Sequence, residues 1–176
     1  MSNLSTESSR QPFAADEETP PRYRETLRAQ DAREIEQLAA DAAVFNAAEI
    51  AIARELVEQA MESADSGYHF LIADGPAGIE GYTCYGPITA TDRRYELYWI
   101  VTAAVAQRRG LARSLLEATE KKVCALGGTH LFTETSTRAD YAPARSFYSA
   151  MGYQRHAVVP DYHGDDDGLA IFGKRL

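Results

Sequence analysis

The stretch YELYWIVTAAVAQRRGLARSLLEATEKKVCAL, residues 95–126, joins the longest strand-like run of the chain to a helix-like segment through a glycine-containing loop. Residues 95–102 are aromatic and β-branched, which favours a central strand. The apolar residues from Leu111 to Leu126 recur largely at threes and fours, and Gly127-Gly128 follows them. A helix that ends at these glycines is therefore predicted.

The loop between that strand and that helix, residues 107–112, has the features of an anion site. A helix start offers N–H groups without internal partners and the positive end of the helix dipole, which together can hold a pyrophosphate. Gly110 and Ala112 permit a close approach, and Arg108 and Arg109 supply charge suited to phosphate oxygens. Taken alone, the loop is also compatible with a simple connection that carries solvated arginines.

Two well-known phosphate motifs are absent from this loop. No Gly-Lys-Ser/Thr follows it, so it is not a P-loop. The three glycines of the dinucleotide-binding fingerprint are also missing.

Outward from this segment, the hydrophobic pattern predicts a strand, two helices, three strands, a helix, a strand, a helix and two strands. Asn46 is expected to separate the first two helices, since it caps well and propagates poorly. Asp140 is expected to cap the last helix, with Pro143 in its first turn. The predicted strands are 22–28, 68–73, 79–85, 95–102, 131–135, 153–159 and 169–174, and helical spacing covers 29–61.

Length and composition predict one domain over residues 22–176, preceded by a disordered tail over residues 1–21 that is rich in Ser, Thr, Gln and Glu. No apolar run approaches the roughly 18 residues that a membrane span needs, and no export signal is visible, so a cytoplasmic protein is expected. The net charge of −8 argues against a nucleic-acid partner. Cys84 and Cys124 are expected to be free, buried thiols.

A second motif lies downstream, YAPARSFYSAMGY at residues 141–153. This motif resembles the Ala-x-x-Phe-Tyr-x-x-x-Gly-Phe/Tyr signature of the GNAT N-acetyltransferase superfamily, and residues 107–112 resemble that family's Gln/Arg-x-x-Gly-x-Gly/Ala loop. The resemblance covers residues 22–176. It implies an α/β fold with a mixed, mostly antiparallel central sheet of about six to seven strands, flanked by helices and splayed at its central strands.

The resemblance also implies acetyl-CoA as co-substrate and places its binding residues. Loop amides would hold the pyrophosphate, the preceding strand would hold the pantetheine arm, and one tyrosine would act as general acid at the thioester sulfur, here Tyr148. Three departures from the family pattern are Arg108, where glycine is common, the segment at Ala104, near which members commonly have a proline, and Tyr141, where many members carry asparagine. The implied cofactor-binding residues are Ile100, Val101, Thr102, Gln107, Arg108, Arg109, Gly110, Leu111, Ala112, Arg113, Tyr141 and Ala144.

The general base for the acceptor amine is expected among the carboxylates near the gap between the central strands. Glu96 and Glu134 are the candidates, acting directly or through water, and each is also compatible with a solvated strand charge. A nucleophilic cysteine is disfavoured, because neither cysteine has an adjacent histidine or other base. The four histidines lack metal-ligand spacing, so no metal is expected.

The acceptor pocket is expected to use the aromatic residues Tyr82, Tyr85, Tyr98, Trp99 and Tyr162. The acidic loop at residues 162–167 would stand at its mouth, where it would either steer a cationic amine or simply be solvated. The sequence thus predicts an acyltransferase that acetylates a primary amine of a small molecule or amino acid. Acetylation of a protein or peptide amine and a non-catalytic CoA-binding module are the alternatives, and the family resemblance allows a homodimer.

Overall fold

A computed structural model describes residues 23–176 of the chain, and the predicted tail, residues 1–21, lies outside the described residues. Two short 3-10 turns, Ala104–Ala106 and Ala139–Tyr141, precede the third and fourth helices. The strands and helices are β1 Tyr23–Arg24, α1 Asp31–Asp41, α2 Ala47–Glu62, β2 His69–Gly75, β3 Gly78–Pro87, β4 Arg94–Thr102, α3 Leu111–Ala125, β5 His130–Ser136, α4 Ala142–Ala150, β6 Gln154–Gly164 and β7 Asp167–Arg175.

The described strands form a seven-stranded sheet in the order β1-β2-β3-β4-β5-β7-β6. Neighbouring strands run antiparallel except for β4 and β5, which are parallel. This architecture confirms the predicted mixed, mostly antiparallel sheet flanked by helices. The parallel pair needs a crossover, and α3 supplies it.

Helices cover the two faces of the sheet and create two buried clusters. On one face α3 and α4 bury Leu115, Leu116 and Tyr148 against strand residues such as Leu97 and Phe172. On the other face α1 and α2 bury Ile35 and Val57 against β2, β3 and β4. Phe132 of β5 and Ile171 of β7 are only half-buried and belong to neither cluster. Part of the α1/α2 face is therefore left accessible over β5 and β7.

Asn46 begins α2 as the sequence predicts. Its side chain accepts hydrogen bonds from the N–H groups of Ala48 and Glu49, at 2.9 and 3.0 Å. The Glu49 carboxylate in turn accepts from the Asn46 N–H at 2.7 Å. This reciprocal pair is a capping box, which satisfies donors that the first helical turn leaves open.

Several local predictions differ from the structure. β1 spans only Tyr23–Arg24. Asp140 does not cap α4, because its carboxylate accepts hydrogen bonds from the Arg138 guanidinium at 2.9 and 3.2 Å, and Tyr141 takes the N-cap position. Residues 162–167 are mostly strand, since β6 runs to Gly164 and β7 begins at Asp167. Cys84 is buried as expected, whereas Cys124 is exposed.

Candidate active site

The central feature of the sheet is a cleft between β4 and β5. The two strands pair only from Arg94 to Leu97 on β4, which face His130 to Thr133 on β5. Beyond that point β4 keeps only its pairing with β3, and β5 keeps only its pairing with β7. The backbone edge of β4 after Leu97 therefore has no strand partner on its β5 side among the described residues, and its N–H and C=O groups are available there.

A β-bulge in β4 lies at the vertex of this cleft. Trp99 pairs with Cys84 and Leu97 pairs with Tyr85, so Tyr98 is the extra residue between them. A bulge bends its strand and breaks the alternation of side chains. Tyr98 and Trp99, although consecutive, consequently both pack against the cluster formed by α1 and α2.

The loop that leads from β4 into α3 has the backbone conformation of an anion site. Gly110 is the N-cap of α3 with φ +80°, and no side chain caps the helix. No acidic residue stands in the first turn, while Arg108, Arg109 and Arg113 are exposed beside it. Arg108 adopts a left-handed φ of +63°. At this position the GNAT superfamily commonly has glycine, which adopts such a φ without steric cost. The arginine therefore holds a strained backbone conformation here.

Two carboxylates, Glu96 and Glu134, line one groove on the side of the vertex away from the α3 loop. Glu96 on β4 is half-buried, and burial raises its pKa to about 7, with a smaller contribution from the negative charge of Glu134 on β5. A carboxylate with a pKa near neutrality is poised to exchange a proton at physiological pH. Sequence reasoning named both glutamates, and the fold brings them together.

These carboxylates line a groove of about 330 Å³ on the α1/α2 face of the sheet. Its residues come from the β3–β4 connection and from strands β4, β5 and β7, and sequence reasoning missed all of them except the two glutamates. No local pattern marks these residues, because each occupies an ordinary strand or turn position. The groove is lined by Ile88, Thr91, Arg94, Glu96, Phe132, Glu134 and Ile171. A second groove, of about 350 Å³ near β2 and α2, contains no such carboxylate pair.

Tyr148 lies on the opposite face of the vertex from Glu96. Its ring is 5% exposed and packs against Phe147, Tyr153 and Phe172. Burial raises the pKa of Tyr148, and a hydrogen bond with Thr133 offsets that rise in part. The hydroxyl is therefore protonated at neutral pH and can donate a proton.

The predicted aromatic lining of the acceptor pocket separates into three groups. Tyr98 and Trp99 lie at the bulge, where Tyr98 meets Tyr68 edge-on at 5.5 Å and Trp99 lies 4.7 Å from the Phe45 ring. Burial, and next the charge of Glu96, raises the pKa of Tyr98 to about 12.

Tyr82 and Tyr85 are each 1% exposed inside the two core clusters. Neither residue lines either of the two grooves described above, because both side chains pack within the core, so their role in an acceptor pocket stays a prediction. Tyr162 is 60% exposed on β6 and contacts His163, outside the groove.

Tyr141, predicted to contact the cofactor, uses its side chain within the protein. Its hydroxyl donates to the Glu49 carboxylate at 3.1 Å, and the Arg138 guanidinium lies 5.0 Å from its ring centroid. Ala144 is half-buried on α4.

Sequence reasoning did not foresee the role of Arg145, which donates to the backbone carbonyls of Ser136 and Arg138 at 2.6 and 2.9 Å. Arg145 thereby fixes the segment that follows β5.

Within residues 23–176, no helix has the length and apolar character to cross a membrane. The same residues contain no group of three or more His, Cys, Asp or Glu side chains arranged to hold a metal ion.

Comparisons with known proteins place this cleft-bearing fold among acyl-transferring enzymes. The family described as "Acetyltransferase (GNAT) domain" matches residues 65–155, more than half of the chain. The chain belongs to the GNAT acetyltransferase family, whose members transfer acyl groups to amines.

One curated relative and two solved structures illustrate the similarity. The uncharacterized N-acetyltransferase YsnE of Bacillus subtilis (strain 168) is 29% identical over 92 residues, which cover 52% of this chain and 60% of that protein. A GNAT-family crystal structure from Desulfovibrio desulfuricans superposes with a TM-score of 0.83 at 36% identity, over 88% of this chain and 98% of the other. An aminoglycoside 6'-N-acetyltransferase in complex with coenzyme A has a TM-score of 0.68 at 17% identity, over 87% and 96% of the two chains, which demonstrates likeness of fold alone.

Proposed function

We propose that this protein transfers an acetyl group from acetyl-CoA directly to the primary amine of a small molecule, with Glu96 as the general base. The observation that carries the proposal is the position of Glu96, a carboxylate with a pKa of about 7 at the vertex of the β4–β5 cleft. On one side of this vertex lies the open edge of β4 that leads to the α3 loop. On the other side lies the groove that Glu134 shares.

Acetyl-CoA would occupy the side of the α3 loop. The pyrophosphate would accept hydrogen bonds from the first N–H groups of α3, at Leu111, Ala112 and Arg113, with charge from Arg108 and Arg109 and room at Gly110. The pantetheine arm would run along Ile100, Val101 and Thr102, whose backbone edge has no strand partner toward β5. An extended arm that adds to this edge resembles the addition of a strand to a sheet.

The acceptor amine would enter from the groove. An alkyl ammonium has a pKa near 10.4 and attacks only after losing its proton. The Glu96 carboxylate, ionised above about pH 7, would accept that proton directly or through one water. Glu134 would add a second negative charge that attracts the ammonium into the groove.

The departing thiolate of CoA would receive its proton from Tyr148. This hydroxyl is protonated at neutral pH and lies on the face of the sheet opposite to Glu96, so acid and base approach the thioester from opposite sides. Backbone N–H groups at the Tyr98 bulge are suited to stabilise the negative charge that develops on the acetyl oxygen.

The dimensions of the groove support a small acceptor. A volume of about 330 Å³ is at the low end of the range for small-molecule pockets. Tyr98 and Trp99 remain proposed contacts for the acceptor on the bulge side, and a peptide amine is the competing acceptor class.

The proposal is tested by a CoA-release assay with a panel of small amines, amino acids and short peptides, beside titration calorimetry with acetyl-CoA. Binding of acetyl-CoA together with release of CoA that requires a small amine and Glu96 supports it. Release of CoA only with peptides would show that the acceptor is a peptide or protein amine instead of a small molecule. Binding without turnover on any acceptor would indicate a non-catalytic CoA-binding protein, and a folded chain that does not bind acetyl-CoA would overturn the proposal.

A further inference from the structure

The far end of the groove contains an arginine that the proposed chemistry does not use. Arg94 is half-buried on β4, two residues before Glu96 on the same face of the strand. Its Nη1 donates hydrogen bonds to the Asp92 carbonyl and to the Thr129 hydroxyl, both at 2.8 Å. These two bonds fix the guanidinium in place, while its other nitrogens retain donors for a further partner.

Arg94 makes no ion pair with any carboxylate of residues 23–176, although two glutamates line the same groove. Arginines are almost never fully buried unless they are paired, because removing their charge from water costs free energy. Burial lowers the pKa of the neighbouring His130, and the positive charge of Arg94 is the next largest cause of this lowering. The guanidinium is thus a fixed, charged donor that faces a groove without an anionic partner.

The groove therefore has opposite charge at its two ends. Strand residues two apart are separated by about 7 Å, so Arg94 lies roughly that far from Glu96 along β4. Phe132 pairs with Glu96 and Ile171 pairs with Glu134, so both apolar side chains lie level with the carboxylates. A ligand that fills this groove meets carboxylates beside an apolar surface near the vertex and a guanidinium at the far end.

We propose that the acceptor carries a carboxylate, which Arg94 binds while the amine reaches Glu96. This inference rests on the proposed function and narrows its substrate class from amines to amino acids in the broad sense, with several bonds between the two charged groups. The planar guanidinium matches a carboxylate with two parallel hydrogen bonds. Arg94 would accordingly determine specificity, and it would contribute to acceptor binding rather than to proton transfer.

The experiment compares 5-aminopentanoate with pentylamine, which has the same carbon chain without the carboxylate. The wild-type protein is expected to acetylate 5-aminopentanoate with a kcat/KM roughly 10- to 100-fold higher, the usual range for a hydrogen-bonded charge pair. Arg94→Gln is expected to abolish this preference, by raising KM for 5-aminopentanoate far more than KM for pentylamine. Arg94→Lys should restore part of the preference, and 3-aminopropylphosphonate distinguishes a phosphonate-selective site from a carboxylate site.

Arg93→Gln is the matched control, since the Arg93 guanidinium is exposed and forms an ion pair with the exposed Asp92 at 3.7 Å, and the substitution leaves the backbone unchanged. This variant should keep the preference. Thermal unfolding of all variants verifies that they are folded. Equal kcat/KM for the two wild-type substrates, or an equal loss for both in Arg94→Gln, would overturn the inference while leaving acetyl transfer to amines intact.

A binding measurement separates failure of the inference from failure of the proposed function. Calorimetric titration with 5-aminopentanoate in the presence of CoA requires no turnover. Binding to the wild type but not to Arg94→Gln supports the anion site even if no acetylation occurs. Absence of binding to the wild type, in a protein that acetylates other amines, refutes it.

Discussion

The α3 loop and the carboxylate groove lie on either side of the vertex between β4 and β5, and they are constructed differently. The loop is one continuous segment whose chemistry resides mainly in backbone N–H groups and in the positive φ of Gly110. The groove is assembled from side chains on three strands and one connection. A backbone site is therefore encoded locally and depends on conformation, whereas a side-chain site depends on sheet topology, burial and mutual charge.

The largest expected effect concerns the groove. Glu96→Gln should lower kcat/KM by roughly 10²- to 10⁴-fold, the usual contribution of a general base, with acetyl-CoA affinity unchanged. For the wild type, kcat/KM should rise with pH through about 7 as Glu96 loses its proton, and the variant should lack this limb. Glu55→Gln, at an exposed position on α2, is the control. A pH limb that persists in Glu96→Gln would exclude Glu96 as the base.

Glu96→Gln should lower activity but raise the stability of the folded protein. The folded-state pKa of Glu96 is about 7, above the ordinary 4.5, so the folded protein binds this proton more tightly than the unfolded chain does. Stability from this group is lost as pH rises from 4.5 through 7. Glu96→Gln should therefore increase the free energy of unfolding at pH 8 by about 1–3 kcal/mol and by much less at pH 4.5. Denaturant unfolding at the two pH values measures the difference, and equal gains at both would contradict the raised pKa.

Tyr148→Phe tests the opposite face of the vertex. Loss of the phenolic proton should lower kcat roughly 10-fold, below the usual range for a general acid, because a thiol of pKa near 8.5 leaves readily. Acetyl-CoA affinity should be retained. Tyr153→Phe is the matched control, since it removes a buried hydroxyl that donates to Glu120 at 3.1 Å. If both variants lose the same turnover, Tyr148 contributes through packing alone.

In the α3 loop, acetyl-CoA affinity should depend on the backbone conformation at Gly110 rather than on side-chain chemistry. Gly110→Ala meets no atom within 4 Å, so its cost comes from the left-handed φ of +80°. That cost, about 1–2 kcal/mol, should weaken acetyl-CoA binding by roughly 5- to 30-fold with kcat retained. Gly127→Ala, with φ +84° and equally open surroundings at the other end of α3, should lose similar stability without losing acetyl-CoA affinity. Calorimetry compares the two, and equal affinities would remove the loop from the cofactor site.

Glu134→Gln should give the smallest change. Removing the neighbouring negative charge lowers the pKa of Glu96, so the pH limb of kcat/KM should move to lower pH. The plateau rate should change by no more than a few-fold, because Glu96 still accepts the proton. A loss as large as that of Glu96→Gln would instead assign the base to Glu134.

The sequence predicted most strands and helices because their signals are local. Each of these signals is contained within a few residues. Examples are the aromatic, β-branched run of β4, the Asn46 cap of α2 and the glycines after α3. The Asp140 cap was wrong because Arg138, a nearby partner, binds that carboxylate instead. The burial of Tyr82 and Tyr85 was not predicted, because periodicity does not reveal that helices cover both faces of β3.

What the sequence alone determined is the family and the loop, since a helix start preceded by glycine and arginine is complete within one segment. The tertiary structure decided the pKa of Glu96, because that value arises from burial and from a charge on another strand. It also decided that Arg94, Phe132 and Ile171 face the same groove. Residues far apart in sequence acquire a common chemistry only when strand order and register place them side by side.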